Sequence, residues 1–170
     1  MGIWITVGIV LFVLGSIMGL KPSGIDQRTD KVRMAARKLA LNPKLVACPD
    51  WLRGKDDEYG RGMMGQYGIV VEGYKMPHVR YHAVDGKWRP VTIDGDVVDF
   101  SLDKVAIDLP ENIIKHTKGL EAKANSIVLY WDDVAYVRPA TNPSYHEKNI
   151  ETDLYPITQK LTQWASLIMS

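Results

Sequence analysis

The run Ile3 to Leu20, IWITVGIVLFVLGSIMGL, holds eighteen residues without one charge and with only Thr6 and Ser16 as hydroxyls. As a helix rising 1.5 Å per residue it extends about 27 Å, close to the thickness of a bilayer core. Apolar on every side, it must be surrounded by protein or by lipid, and its terminal position argues against burial inside a soluble core. A cleaved signal peptide needs a basic leader and small residues at the cut. Nothing basic precedes Ile3, and the exit Ser16-Ile17-Met18-Gly19-Leu20-Lys21-Pro22 lacks that pattern. No cysteine directly follows the run, which excludes a lipoprotein. The expectation is an uncleaved transmembrane anchor over residues 1–20.

The flanks set its direction. Between Lys21 and Lys44 stand seven basic residues (Lys21, Arg28, Lys31, Arg33, Arg37, Lys38, Lys44) against two acidic ones (Asp26, Asp30). Positive charge stays on the cytoplasmic side, so the N-terminus is expected outside a bacterial inner membrane and the remainder in the cytoplasm. A single cysteine, Cys48, fits a reducing compartment and excludes an internal disulfide. Gly8, Gly15 and Gly19 share one face of the anchor. Gly15-x-x-x-Gly19 is the small-residue spacing that lets two membrane helices approach closely, so this face is the expected contact with an integral-membrane complex or with a second copy.

Pro22-Ser23-Gly24 ends the anchor, and a basic amphipathic helix is expected within residues 21–43. Ile25, Thr29, Val32, Ala36 and Leu39 form its apolar stripe, Ser23 or Asp26 its cap, and Asn42-Pro43 its end. The stripe is small and lacks Trp, Phe and several Leu, which favours packing on the following domain over immersion in lipid. Lys21, Arg28, Lys31, Arg33, Arg37 and Lys38 are then left toward anionic lipid headgroups.

Residues 44–170 read as an α+β domain. Strands are expected at Lys44–Cys48, Gln66–Tyr74, Val79–Val84, Lys87–Thr92 and Val97–Leu102, with Asp85-Gly86 and Asp94-Gly95 as turns, in an antiparallel meander. Trp51 to Gly65, with four glycines and Lys55-Asp56-Asp57-Glu58, reads as an exposed loop. A helix is expected from Leu109 to Lys118 or Ala124, a buried strand at Ser126–Tyr130 continuing or pairing through Val134–Arg138, a loop from Pro139 to Asn149, and a last helix over Tyr155–Met169.

No residue set makes a convincing catalytic, cofactor or metal site. Gly60-Arg61-Gly62-Met63-Met64-Gly65 matches G-x-G-x-x-G but follows an acidic loop and precedes a β-rich run, so no helix N-terminus receives a phosphate. His78 and His82 lie on an expected strand, about 13 Å apart, too far for one metal ion. Cys48 has no activating neighbour in sequence. The adjacent Asp132 and Asp133 point to opposite sides of a strand. Trp51, Tyr59, Tyr67, Tyr74, Tyr81 and Trp88 form either a partner-binding face or half of an ordinary core. A net charge of +1 gives no reason to expect nucleic acid.

The order of an apolar anchor, Gly19-Leu20-Lys21-Pro22-Ser23, a basic helix and the strand end Cys48-Pro49-Asp50-Trp51-Leu52 resembles small single-span inner-membrane proteins of γ-proteobacteria, some labelled YajC-like translocase accessory proteins. The resemblance covers Met1 to Leu52 and implies a membrane-embedded accessory role. The chain carries a larger body than that outline, so the translocase function itself is not carried over. The expected function is a non-catalytic accessory or assembly subunit of a larger inner-membrane complex. The alternatives are an anionic-lipid-binding module and a membrane-tethered enzyme with a cleft in the cytoplasmic domain.

Overall fold

In the computed structural model the described residues are 2–19, 22–92 and 98–170. Leu20, Lys21, Val97 and the Asp94-Gly95 turn lie outside them. Helix α1 spans Gly2–Gly19, has a mean hydropathy of 2.2 and buries no residue. It is long and apolar enough to cross a membrane.

Helix α2 (Gly24–Lys38) starts on a reciprocal cap. Ser23 Oγ accepts from the Asp26 amide at 3.1 Å, while the Asp26 carboxylate accepts from the Ser23 amide at 3.1 Å. Its stripe of Thr29, Val32, Ala35 and Ala36 is buried. The helix therefore contributes to the domain's core.

Six strands form one antiparallel sheet: β1 Lys44–Ala47, β2 Met63–Val70, β3 Met76–Val84, β4 Lys87–Pro90, β5 Thr117–Ala124 and β6 Ser126–Trp131. Their order is β1-β2-β6-β5-β3-β4, so the sheet is not a simple meander. The β5–β6 hairpin inserts between β2 and β3. Pairing runs from Gly65↔Trp131 to Val70↔Ser126 on one side and from Met76↔Ala124 to His82↔Gly119 on the other. Burial explains the insertion. SIVLYW is the most apolar strand of the domain, and a central position is where such a strand loses most surface to its neighbours. The loop from Val71 to Lys75 bridges the roughly 14 Å that two intervening strands impose.

Four further expectations are corrected. The helix after Pro110 is the single turn α3 (Glu111–Ile114), and Thr117–Ala124 is strand β5. Leu120 and Ala122 are buried while Glu121 and Lys123 face the other way, the two-residue alternation of a strand. Asp133–Val137 is helix α4 because Asp132 caps it, accepting from the Ala135 amide at 2.9 Å. Val98–Phe100 has no regular structure and Ser101–Lys104 forms a turn, with the Asp99 carboxylate accepting from the amide and hydroxyl of Ser101. Helix α5 (Ile150–Met169) begins a turn and a half earlier than expected and carries Pro156 inside it.

Helices α2, α4 and α5 cover one face of the sheet. Tyr67, Tyr81, Trp88, Leu129 and Trp131 from the strands meet Val32, Ala36, Leu154, Ile157, Leu161 and Trp164 from the helices. Trp88 and Trp164 pack edge to face at 5.1 Å. The opposite face carries a much smaller buried cluster of Cys48, Leu52, Met64 and Tyr130 under residues 48–62.

Candidate functional site

The outer face of the sheet holds the domain's main polar network. Gln66 (β2), Tyr130 (β6), Glu121 (β5) and Arg80 (β3) lie side by side, because Gln66 pairs with Tyr130 and Arg80 with Glu121 in the strand register. Gln66 Nε2 donates to the Tyr130 hydroxyl at 3.0 Å, and that hydroxyl donates to Glu121 Oε2 at 2.8 Å. Glu121 Oε1 accepts from Arg80 Nε at 3.0 Å and from His78 Nε2 at 2.8 Å. Burial alone would raise the Glu121 carboxyl. The hydrogen bonds from His78, Tyr130 and Arg80 outweigh it and hold the group below the usual carboxylate range. Burial, and then the neighbouring Glu121 charge, push the Tyr130 phenol up. The acid is thus held ionised and the phenol held neutral.

Trp51 lies over this network. Its indole stacks on His82 at 5.8 Å, meets Tyr130 edge-on at 5.7 Å and takes the Arg80 guanidinium at 5.6 Å from its ring. His82 Nε2 donates to the Trp51 carbonyl. The space for the ring comes from Gly119, where a Cβ would sit 2.5 Å from Leu52 Cδ2, 2.9 Å from the Tyr81 carbonyl and 3.1 Å from Trp51 Cζ3. Between Trp51, Tyr59, Arg80, His82, Thr92 and Glu121 opens a cleft of about 1070 Å³.

On the helical side, Arg33 grips the buried Asp133. Arg33 Nε and Nη2 donate to its two carboxylate oxygens at 2.8 and 3.2 Å, and the Tyr67 hydroxyl donates to Oδ2 at 3.0 Å. Burial opposes the Arg33 charge, but Asp133 more than restores it, so the guanidinium pKa is raised. Burial and the Asp133 charge push the Tyr67 phenol up as well. Gly65 makes the room: a Cβ there would meet Asp133 Cγ at 2.9 Å.

The residues singled out in the sequence fall apart into separate roles. Gly8, Gly15 and Gly19 stand on the exposed surface of α1, with nothing within 4 Å of an added Cβ. Of the basic residues assigned to headgroups, Lys21 lies outside the described residues. Arg33 is half-buried and turned toward the buried Asp133, the clearest departure from that assignment. Lys31 pairs with Glu147 at 2.7 Å, Lys38 with Glu151 at 3.7 Å, and Arg28 lies over the Tyr145 ring. Arg37 is exposed. Asp132 caps a helix while Asp133 is buried, so the two carboxylates share no ligand. Tyr67, Tyr81 and Trp88 are core residues on the helical side, Trp51 covers the outer face, and Tyr59 and Tyr74 are exposed. Cys48 is buried, and burial pushes its thiol up. Among the described residues no group of three His, Cys, Asp or Glu is placed to hold a metal ion.

Glu121, Tyr130, Gln66 and Arg80 were not singled out by the sequence. Only the register of β5 brings them together, and Thr117–Ala124 carries no strong strand signal. No known protein family, curated protein or solved structure matches the chain.

Proposed function

We propose that the chain is a single-pass membrane protein and a non-catalytic accessory or assembly subunit of a larger bacterial inner-membrane complex. The observation that carries this reading is the state of α1. Eighteen residues of high hydropathy bury nothing, beside a domain whose core contains no residue of that helix. An apolar surface of that extent needs lipid or a partner around it. The basic residues that follow α1 support retention of the domain on the cytoplasmic side, with the N-terminus outside. The glycine face of α1 supplies the close approach to another membrane helix.

Two features of the domain favour binding over chemistry. Both carboxylate oxygens of Glu121 are already taken, and Tyr130 is held protonated, so neither is poised to exchange a proton at neutral pH. The alternative of a lipid-surface module loses force because Arg33 is engaged with the domain's own buried carboxylate, Asp133.

The test is purification of the tagged full-length protein from its native membrane in mild detergent, beside a Gly15→Ile/Gly19→Ile variant. A stoichiometric membrane partner that co-purifies with the wild type and is lost from the variant is the expected outcome. A protein that elutes alone from both samples overturns the reading. Intact mass of the purified chain reports whether α1 is retained, and a species lacking it would identify a signal sequence instead.

A further inference from the structure

We propose that residues 48–62 form a lid that opens as one unit from the outer face of the sheet while the helical core stays folded. The segment has the length of a compact surface loop packed by its own residues. Much of its backbone hydrogen bonding is internal. Cys48 N donates to the Gly62 carbonyl, Gly60 N to Leu52, Lys55 N to Arg61 and Gly54 N to Glu58, all at 2.9 to 3.0 Å. Arg53 and Tyr59 form a further bridge. Its three ion pairs, Arg53–Asp57, Arg61–Asp56 and Arg61–Glu58, are also internal.

Its attachment to the sheet is of a different kind. Among the described residues the hydrogen bond across the boundary is the one from His82 to the Trp51 carbonyl. Beside it stand apolar and ring contacts: Trp51 against His82, Arg80 and Tyr130, Tyr59 tilted against His82 at 6.5 Å, and Leu52 seated over Gly119. The buried cluster beneath has four members and is separate from the large core, so lifting the lid leaves every residue of the helical core in place. Segments with few buried apolar contacts to the remainder open at a fraction of the global unfolding cost. The hinges sit at Pro49 and at Gly62, whose φ of +89° an L side chain does not favour. Opening uncovers Leu52, Met64 and Tyr130 next to the Glu121–Arg80 pair, an apolar patch edged by charge.

The chain carries its own reporter. Cys48, the only cysteine, lies at the base of the lid, 4% exposed, with its thiol donating to the Leu52 carbonyl at 3.4 Å. The experiment is the rate of Cys48 labelling by an aromatic disulfide reagent on the full chain in mild detergent, with and without sub-denaturing urea. Linearity in reagent concentration establishes that the rate reads the opening equilibrium. Labelling in the absence of urea is expected to be at least about a hundredfold faster than global unfolding allows. His82→Gln should speed it about fivefold by weakening one hydrogen bond. Should that variant fail to fold, Trp51→Phe serves, since it shrinks the ring contact and keeps the carbonyl bond. Ile157→Val, on the buried face of α5, should lower the urea midpoint and leave the labelling rate unchanged. Labelling that follows the global unfolding curve, or that Ile157→Val accelerates in proportion to lost stability, would overturn the proposal.

Discussion

Removing the Asp133 carboxylate tests how helix α2 is held to the rest of the domain. Asp133 is 1% exposed and Arg33 18%, so the pair is shielded from water and from salt. Losing one partner of a buried ion pair costs about 3–5 kcal/mol, because the remaining charge stays desolvated. Two details adjust that range. The guanidinium, not fully buried, regains some hydration by swinging outward, which places the Arg33 share toward the lower end. The Tyr67 hydroxyl, fully buried, loses its acceptor at a cost of about 1–3 kcal/mol. Asp133→Ala is therefore expected to lower stability by about 4 kcal/mol. The measurement is urea unfolding followed by tryptophan fluorescence, with Trp131 and Trp164 in the core as reporters. In a double-mutant cycle, Arg33→Met/Asp133→Ala should be less destabilised than the sum of the single changes by about 1 kcal/mol or more, since the double variant buries no unpaired charge. A loss below about 1 kcal/mol for Asp133→Ala, or strict additivity in the cycle, would refute the reasoning and make the contact a surface ion pair.

Three other outcomes follow from the same geometry. Gly65→Ala should destabilise by about 1–3 kcal/mol, because the new methyl meets both the Asp133 carboxyl and the Trp131 carbonyl; circular-dichroism melting checks it. Glu121 has a folded pKa below its unfolded value, so its contribution is present above the ordinary carboxylate range and is lost as pH falls through the folded value. Urea midpoints between pH 6 and pH 3 should fall more steeply in the wild type than in Glu121→Gln. Tyr67, Tyr81, Tyr130 and Tyr136 are all pushed up by burial, so their contribution holds below the unfolded phenol range and fades above it. In an ultraviolet phenolate titration they should stay silent near pH 10 and ionise only as the protein unfolds.

The elements legible in the sequence are those with a local signature. The apolar run announces α1, Ser23 and Asp26 announce the start of α2, Asp85-Gly86 announces the β3–β4 hairpin, and SIVLY announces β6. What the sequence hides is non-local. Thr117–Ala124 mixes Lys, Gly, Glu and Ala, none of which favours a strand; its conformation comes from pairing on both edges, with β3 and with β6. Once that segment is misread, the sheet order is lost, and with it the line of Gln66, Tyr130, Glu121 and Arg80. Arg33 misleads for a related reason. Helical spacing sets it among basic neighbours on an apparently solvated stripe, and only Asp133, a hundred residues on, turns it inward. Aspartate at 133 was legible as half of an acidic pair and not as a counter-ion.

The place of β6 in the sheet also bears on how the chain is made. Strand β2 is complete at Val70, yet its inner neighbour ends at Trp131. At a synthesis rate of about 5–20 residues per second, β2 waits roughly 3–12 seconds with one edge unpaired, and Arg33 waits longer for its carboxylate. During that interval the apolar faces of β2 and β3 have no core to enter, while α1 has already left the ribosome. With α1 as the anchor proposed above, the growing polypeptide enters the bilayer before its sheet can close, and its vulnerability to aggregation is highest in the seconds between those two events.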